Sequence, residues 1–194
     1  MNSKPQIKLA ETVVLVDTSY LNFVVSYMKG FYEKGLGRVL QDMDVSIWAT
    51  CLTLDAGIKE GANDIQFLFV YDNTHPSLVH AIPSDLTKDL NGVAFRCPYG
   101  EYSFASVPTE GMVTREELFF DLLSIVADSA DVKRILVVGF QEEYGEKLVA
   151  ALNEIKGKDV IQFLIGAPAS ADNYRWDTLA YPVMQALGIR GDEI

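Results

Sequence analysis

Hydrophobic positions along this chain follow two rhythms. Thr12–Val16 is an unbroken β-branched and aliphatic run that stops at Asp17. Ile65–Tyr71 (I-Q-F-L-F-V-Y) and Arg134–Gly139 (R-I-L-V-V-G) have the same character. Such runs fit strands buried on both faces, as in a parallel sheet. Further strands are predicted at Gly92–Arg96 and Val160–Gly166. Between these runs the spacing turns helical. Tyr20–Tyr32 predicts a helix ended by the Gly35–Gly37 stretch. Val45–Lys59 predicts another, with Val45, Trp48, Leu52 and Ile58 on one face and Gly61 as punctuation.

The second strand is stopped by Asp72-Asn73-Thr74-His75-Pro76, and Asp85–Leu90 reads as a short helical turn. Pro98 to Pro108 is turn-rich and aromatic, a hairpin or a surface loop. Thr114 begins a capping-box pattern, T-R-E-E, ahead of a helix to about Ser129. Glu142–Ile155 and Asn173–Leu187 are the last predicted helices, the second interrupted at Pro182. Alternating strands and helices imply right-handed parallel crossovers. The expectation is one α/β domain over residues 1–194, a three-layer α/β/α architecture with a mostly parallel five-stranded sheet. The expected strand order is 3-2-1-4-5, ahead of 2-1-3-4-5.

Composition narrows the function. The 194 residues are 49% hydrophobic and carry a net charge of −11, with no basic run. That opposes tight nucleic-acid binding, which needs Lys and Arg on phosphates, and docking on anionic membranes. Cys51 and Cys97 lie in apolar segments and read as reduced core thiols. There is no CxxC and no Cys/His cluster of the kind that binds zinc. The N-terminal M-N-S-K-P-Q-I-K lacks a signal peptide's apolar core, and no apolar run approaches the ~18–20 residues that span a membrane. A cytoplasmic protein is expected.

Polar residues gather after the predicted strands. Asp17-Thr18-Ser19 follow the first and Asp72-Asn73 the second. Gly139, Gln141, Glu142 and Glu143 follow the fourth, and Gly166, Ser170 and Asp172 the last. Glu117 and Asp121 are four apart on a helix and share a face. In open α/β sheets, ligands bind beyond the carboxyl ends of the strands. Carboxylates converging there repel one another unless a cation lies between them, and all-oxygen ligands suit Mg²⁺ or Mn²⁺. A structural reading stands beside this one. Asp17 and Asp72 can cap the helix or turn that follows, Glu117 serves the capping box, and Glu142–Glu143 favour a helix N-terminus.

V-L-V-D-T-S-Y-L-N at 14–22, F-V-Y-D at 69–72, the helix carrying Asp121 and V-V-G-F-Q-E-E at 137–143 together resemble the PIN-like superfamily, specifically its NYN branch of metal-dependent ribonucleases. The resemblance covers most of the chain in element order. It matches Asp17, Asn22 and Asp121 to family positions. The family's Ser-Gly-Asp-x-Asp-Phe turn reads Gly139-Phe140-Gln141-Glu142-Glu143 here, with glutamates for aspartates. The resemblance implies that Asp17, Asp72, Asp121 and Glu142 hold Mg²⁺ or Mn²⁺ and that the ion activates a water for in-line attack on RNA. The departed turn implies a catalytically inactive relative instead.

Other motifs stop short. D-T-S-Y-L at Asp17–Leu21 is near the D-x-S-x-S site of von Willebrand A adhesion domains, with Leu21 in place of the last serine. GxGxxG and GxxxxGK[ST] are absent, and Thr18-Ser19-Tyr20 is short for an FMN loop. His75 and His80 flank a loop, and no serine sits in a G-x-S-x-G elbow. Tyr99, Tyr102 and Phe104 can form an interface or pack over the sheet edge. Trp176 and Tyr181 are read as core or dimer contacts. The expectations are therefore a metal-dependent ribonuclease or an inactive relative. Beside them stand a non-catalytic domain binding a protein partner or itself, and a metal-adhesion domain.

Overall fold

The computed structural model describes residues 8–194. Segment 1–7, part of the stretch read for a signal peptide, lies outside them. Strand β1 is Thr12–Asp17, and all six of its residues are buried. Helix α1, Thr18–Leu36, starts because the Asp17 side chain accepts from the Ser19 N–H, and it ends at Gly37 in the left-handed region. A two-residue strand β2, Met43–Asp44, leads into α2, Val45–Asp55, which Asp44 caps through the Ser46 and Ile47 N–H groups. Then come β3 (Asp64–Tyr71), β4 (Ala81–Ile82), β5 (Val93–Cys97) and β6 (Gly100–Pro108). Helix α3 (Arg115–Asp128), β7 (Arg134–Val138) and α4 (Gln141–Asn153) follow, then β8 (Asp159–Leu164), β9 (Arg175–Thr178), α5 (Ala180–Ala186) and a short 3-10 helix at Gly191–Glu193.

The main sheet runs β5-β6-β3-β1-β7-β8-β9. Only the β5–β6 pairing is antiparallel; β2 and β4 form a separate parallel pair. Strand β1 is central, with Val14 between Phe67 of β3 and Leu136 of β7. Its side chains alternate between two layers. Val14 and Val16 face α1, α2 and α5, with Tyr20, Trp48, Phe67 and Val183. Val13 and Leu15 face α3 and α4, with Phe119, Leu123, Tyr144 and Leu148. Two-sided burial explains why these strands read as continuous apolar runs.

The five-strand expectation is corrected to seven. The order 3-2-1-4-5 holds for the parallel strands β6-β3-β1-β7-β8, but the third of them is β6 rather than the predicted Gly92–Arg96 strand. That earlier segment is the outer arm β5 of a hairpin. Tyr102 and Phe104 point inward from β6 and stack with Phe67 at 6.3 and 5.1 Å between ring centroids, so they are core. The predicted last helix begins late: residues 175–178 pair in parallel with β8, and α5 starts only at Ala180. Pro182 lies in the first turn of α5, where its missing N–H breaks no helical bond. Trp176 and Tyr181 are exposed rather than core. Cys51 and Cys97 are free thiols. Among the described residues no helix is long and apolar enough to cross a membrane.

Candidate functional site

The sheet order reverses around β1, because the chain moves first to β3 on one side and later to β7 on the other. The carboxyl ends of these strands flank the crevice where such folds bind ligands. Asp17 ends β1 there, with its side chain 0% exposed. Its Oδ1 accepts from Ser19 N at 3.0 Å. Its Oδ2 accepts from the Tyr144 hydroxyl at 2.6 Å. The Nε of Arg115 lies 3.0 Å from each carboxylate oxygen. The aspartate at the mouth of the sheet is thus already paired with a cation of the chain itself.

Arg115 is the first residue of α3, after the N-cap Thr114, whose side chain accepts from Glu117 N. Its guanidinium also binds the Glu143 carboxylate and lies 5.7 Å from the centre of the Phe140 ring. Burial pulls its pKa down, but Asp17 and then Glu143 outweigh that, so the group is held above its ordinary value. Burial, and next the Asp17 charge, push the Tyr144 phenol well above the usual tyrosine range. Helix α4 departs from helical geometry at Tyr144 (φ −142°, ψ 30°). The turn before α4 packs tightly against both helices of that layer. A Cβ on Gly139 would lie 2.5 Å from Leu148 Cδ2 and 3.3 Å from Phe119 Cζ, so any side chain there forces the buried Leu148 to shift.

Outside this lock, Asp72, Asn73, Thr109, Thr114, Arg115 and Glu143 line a polar cleft of about 470 Å³. Asp72 Oδ1 accepts from Thr74 N at 3.2 Å and Thr74 Oγ1 at 3.0 Å; these bonds, backbone first, hold its carboxyl below the usual range. Asn22 braces the loop, accepting from Val79 N at 2.9 Å and donating to the Ser77 carbonyl at 3.3 Å. Asp121 is exposed on α3 and Glu142 is exposed in the first turn of α4. His75 lies exposed beside Thr74, and His80 is exposed with φ 51°.

The four carboxylates expected to converge, Asp17, Asp72, Asp121 and Glu142, do not fit a divalent cation. Both oxygens of Asp17 are engaged by Arg115, Tyr144 and Ser19. Among the described residues no three of His, Cys, Asp and Glu gather so as to hold a metal ion. Electrostatics gives the reason: the Arg115 guanidinium, 3.0 Å from both Asp17 oxygens, relieves the charge of the buried carboxylate as a metal would.

A family model described as Family of unknown function (DUF6621) matches residues 6–194. The chain belongs to that family. No curated protein matches it, and no solved structure does.

In this DUF6621 chain, sequence reasoning missed the two groups that complete the site. Arg115 did carry a signal. A cation at the start of a helix opposes the helix dipole, so it needs an anionic partner elsewhere. Tyr144 carried none, since nothing in Q-E-E-Y-G marks a phenol that donates to a carboxylate.

Proposed function

We propose that this chain is a non-catalytic protein-interaction domain that works in a reducing, cytoplasmic setting and acts through the outer face of α1. The observation that carries the reading is an unpartnered aromatic stripe: Phe23, Tyr27 and Phe31 recur every fourth residue and are 50%, 66% and 59% exposed. Tyr27 and Phe31 stack at 6.1 Å, and Phe23 leans on Phe140 at 5.6 Å. The stripe is therefore organised before any partner arrives, which lowers the entropic cost of docking. Contiguous exposed aromatics mark protein contacts more often than chance surface.

The crevice supports the same reading. An Asp17 paired with Arg115 and Tyr144 has no free oxygen to offer a metal-bound water or a phosphodiester. RNA is a poor partner for a chain of net charge −11.

Incorporating a photo-crosslinking amino acid at Tyr27, with Lys156 beyond α4 as control, tests the reading in cells. A polypeptide adduct at position 27 and none at 156 is expected. Absence of any adduct at 27 overturns it. So does Mn²⁺-dependent RNA hydrolysis that Asp17→Asn abolishes.

A further inference from the structure

Building on the interaction-domain reading, we infer that the partner of the α1 stripe is a second copy of this chain, packed as an antiparallel helix pair about a two-fold axis. The exposed face of α1 reads Phe23, Ser26, Tyr27, Gly30, Phe31, Lys34, Gly35. Place the axis between positions 28 and 29. Tyr27 then faces Gly30 of the other copy, Phe31 faces Ser26, and Phe23 faces Lys34. Each ring meets a small residue or a cation, and no ring meets a ring head-on. A two-fold interface uses the same patch on both subunits and so demands a pattern complementary to its own inverse. This stripe has that property.

Gly30 points the same way. Glycine in a helix interior is destabilising relative to alanine. Among the described residues, a Cβ at Gly30 would meet no atom outside the helix's own backbone within 4 Å, so the position opens onto free space, as Gly35 does. A tyrosine ring from a partner helix fills that space. Charge agrees as well. The chain holds 27 acidic and 16 basic residues, yet the only charged residue of the stripe is Lys34. Two copies of net charge −11 can approach along this face without opposing carboxylates, and Lys34 lies over the partner's Phe23 ring as a cation–π contact.

Area sets the strength. With roughly 200 Å² per aromatic side chain, the three rings offer roughly 350 Å² per copy, under half of the ~800 Å² per partner of a standard interface. A patch of this size suits a weak, reversible dimer rather than a permanent one. Net repulsion between two acidic bodies is screened by salt, so association tightens as ionic strength rises.

Sedimentation velocity of the purified chain over a concentration series, at low and at moderate salt, tests this. A monomer–dimer equilibrium that strengthens with salt is expected. Gly30→Leu fills the hole for Tyr27 while improving helix propensity, so it should weaken dimerisation at least tenfold with no loss in melting temperature. A dimer that Gly30→Leu leaves intact overturns the proposed face. A chain that stays monomeric throughout overturns the second copy as partner. In that case, adducts at position 27 with another polypeptide leave the interaction-domain reading standing, and their absence removes it too.

Discussion

Asp17→Asn separates a carboxylate held by a protein cation from one that strains against neighbouring acids. Asparagine keeps the shape, caps a helix as well as aspartate, and still accepts from Tyr144. What it removes is the charge facing Arg115 at 3.0 Å, where Asp17 is 0% and Arg115 17% exposed. Removing one partner of a buried pair costs about 3–5 kcal/mol, because the other charge stays desolvated. Arg115 keeps Glu143 as a partner, which is itself 47% exposed, so the lower end applies. A loss of about 3 kcal/mol lowers the melting temperature of a chain this size by roughly 6–12 °C. Arg115→Met strands Asp17 at 0% exposure with only Ser19 and Tyr144 as donors, and should cost about 3–5 kcal/mol. The double variant buries neither charge. It should fall short of the summed single losses by about 2 kcal/mol or more. Urea unfolding of the four proteins, with unchanged m values, gives the cycle. A neutral or stabilising Asp17→Asn would refute the pairing argument, since that is what relief of carboxylate repulsion produces.

Three further outcomes follow from the geometry. Two bonds from Arg38, at 2.8 Å each, and then the Arg190 N–H hold the Glu193 carboxyl down at about 2. Because the folded value lies below the ordinary 4.5, this contribution is full above that pH and is lost as the pH falls towards 2; an NMR titration should show Glu193 moving up in Arg38→Ala. Burial pushes Tyr20 and Tyr174 up to about 12 and Tyr144 higher still, against an ordinary 10.0. The folded chain keeps these protons, so that stability is present below pH 10.0 and lost as the pH rises through about 12; burial also raises Tyr71 and Tyr102, so a phenolate absorbance titration should find five tyrosines that ionise late when folded and normally in denaturant. Gly139→Ala should cost about 1–3 kcal/mol in the same unfolding assay, since its methyl group would overlap Leu148.

The centre of the sheet was legible because β1, β3 and β7 are buried on both faces, so each reads as a short, continuous run of aliphatic and aromatic residues rich in β-branched side chains. The two added strands were harder to see for different reasons. In β6, Tyr102 and Phe104 alternate with Glu101 and Ser103, a period-two signal masked by the surrounding Gly and Pro. In β9, four residues pair on one side only, too short a stretch to show a period. Asp17 was correctly placed at a strand end and is also the helix cap that its position suggested. Its partners were not legible, since Arg115 and Tyr144 lie 98 and 127 residues away in the chain and neither sits in a spacing motif with it. A cluster of acids in sequence indicates that a positive charge is needed, but not whether an ion or an arginine supplies it.

Thermal melting of the unmodified chain with and without millimolar Mn²⁺ or Mg²⁺ puts that question most directly. An ion that binds only the folded state stabilises by about 2.7 kcal/mol at a hundred times its Kd, roughly 5–11 °C for a chain of this size. With Arg115 already on Asp17, the predicted result is no change in melting temperature with either ion. A rise of several degrees that Asp17→Asn abolishes would contradict the account, because it would mean that a cation displaces the guanidinium and that the crevice is a metal site.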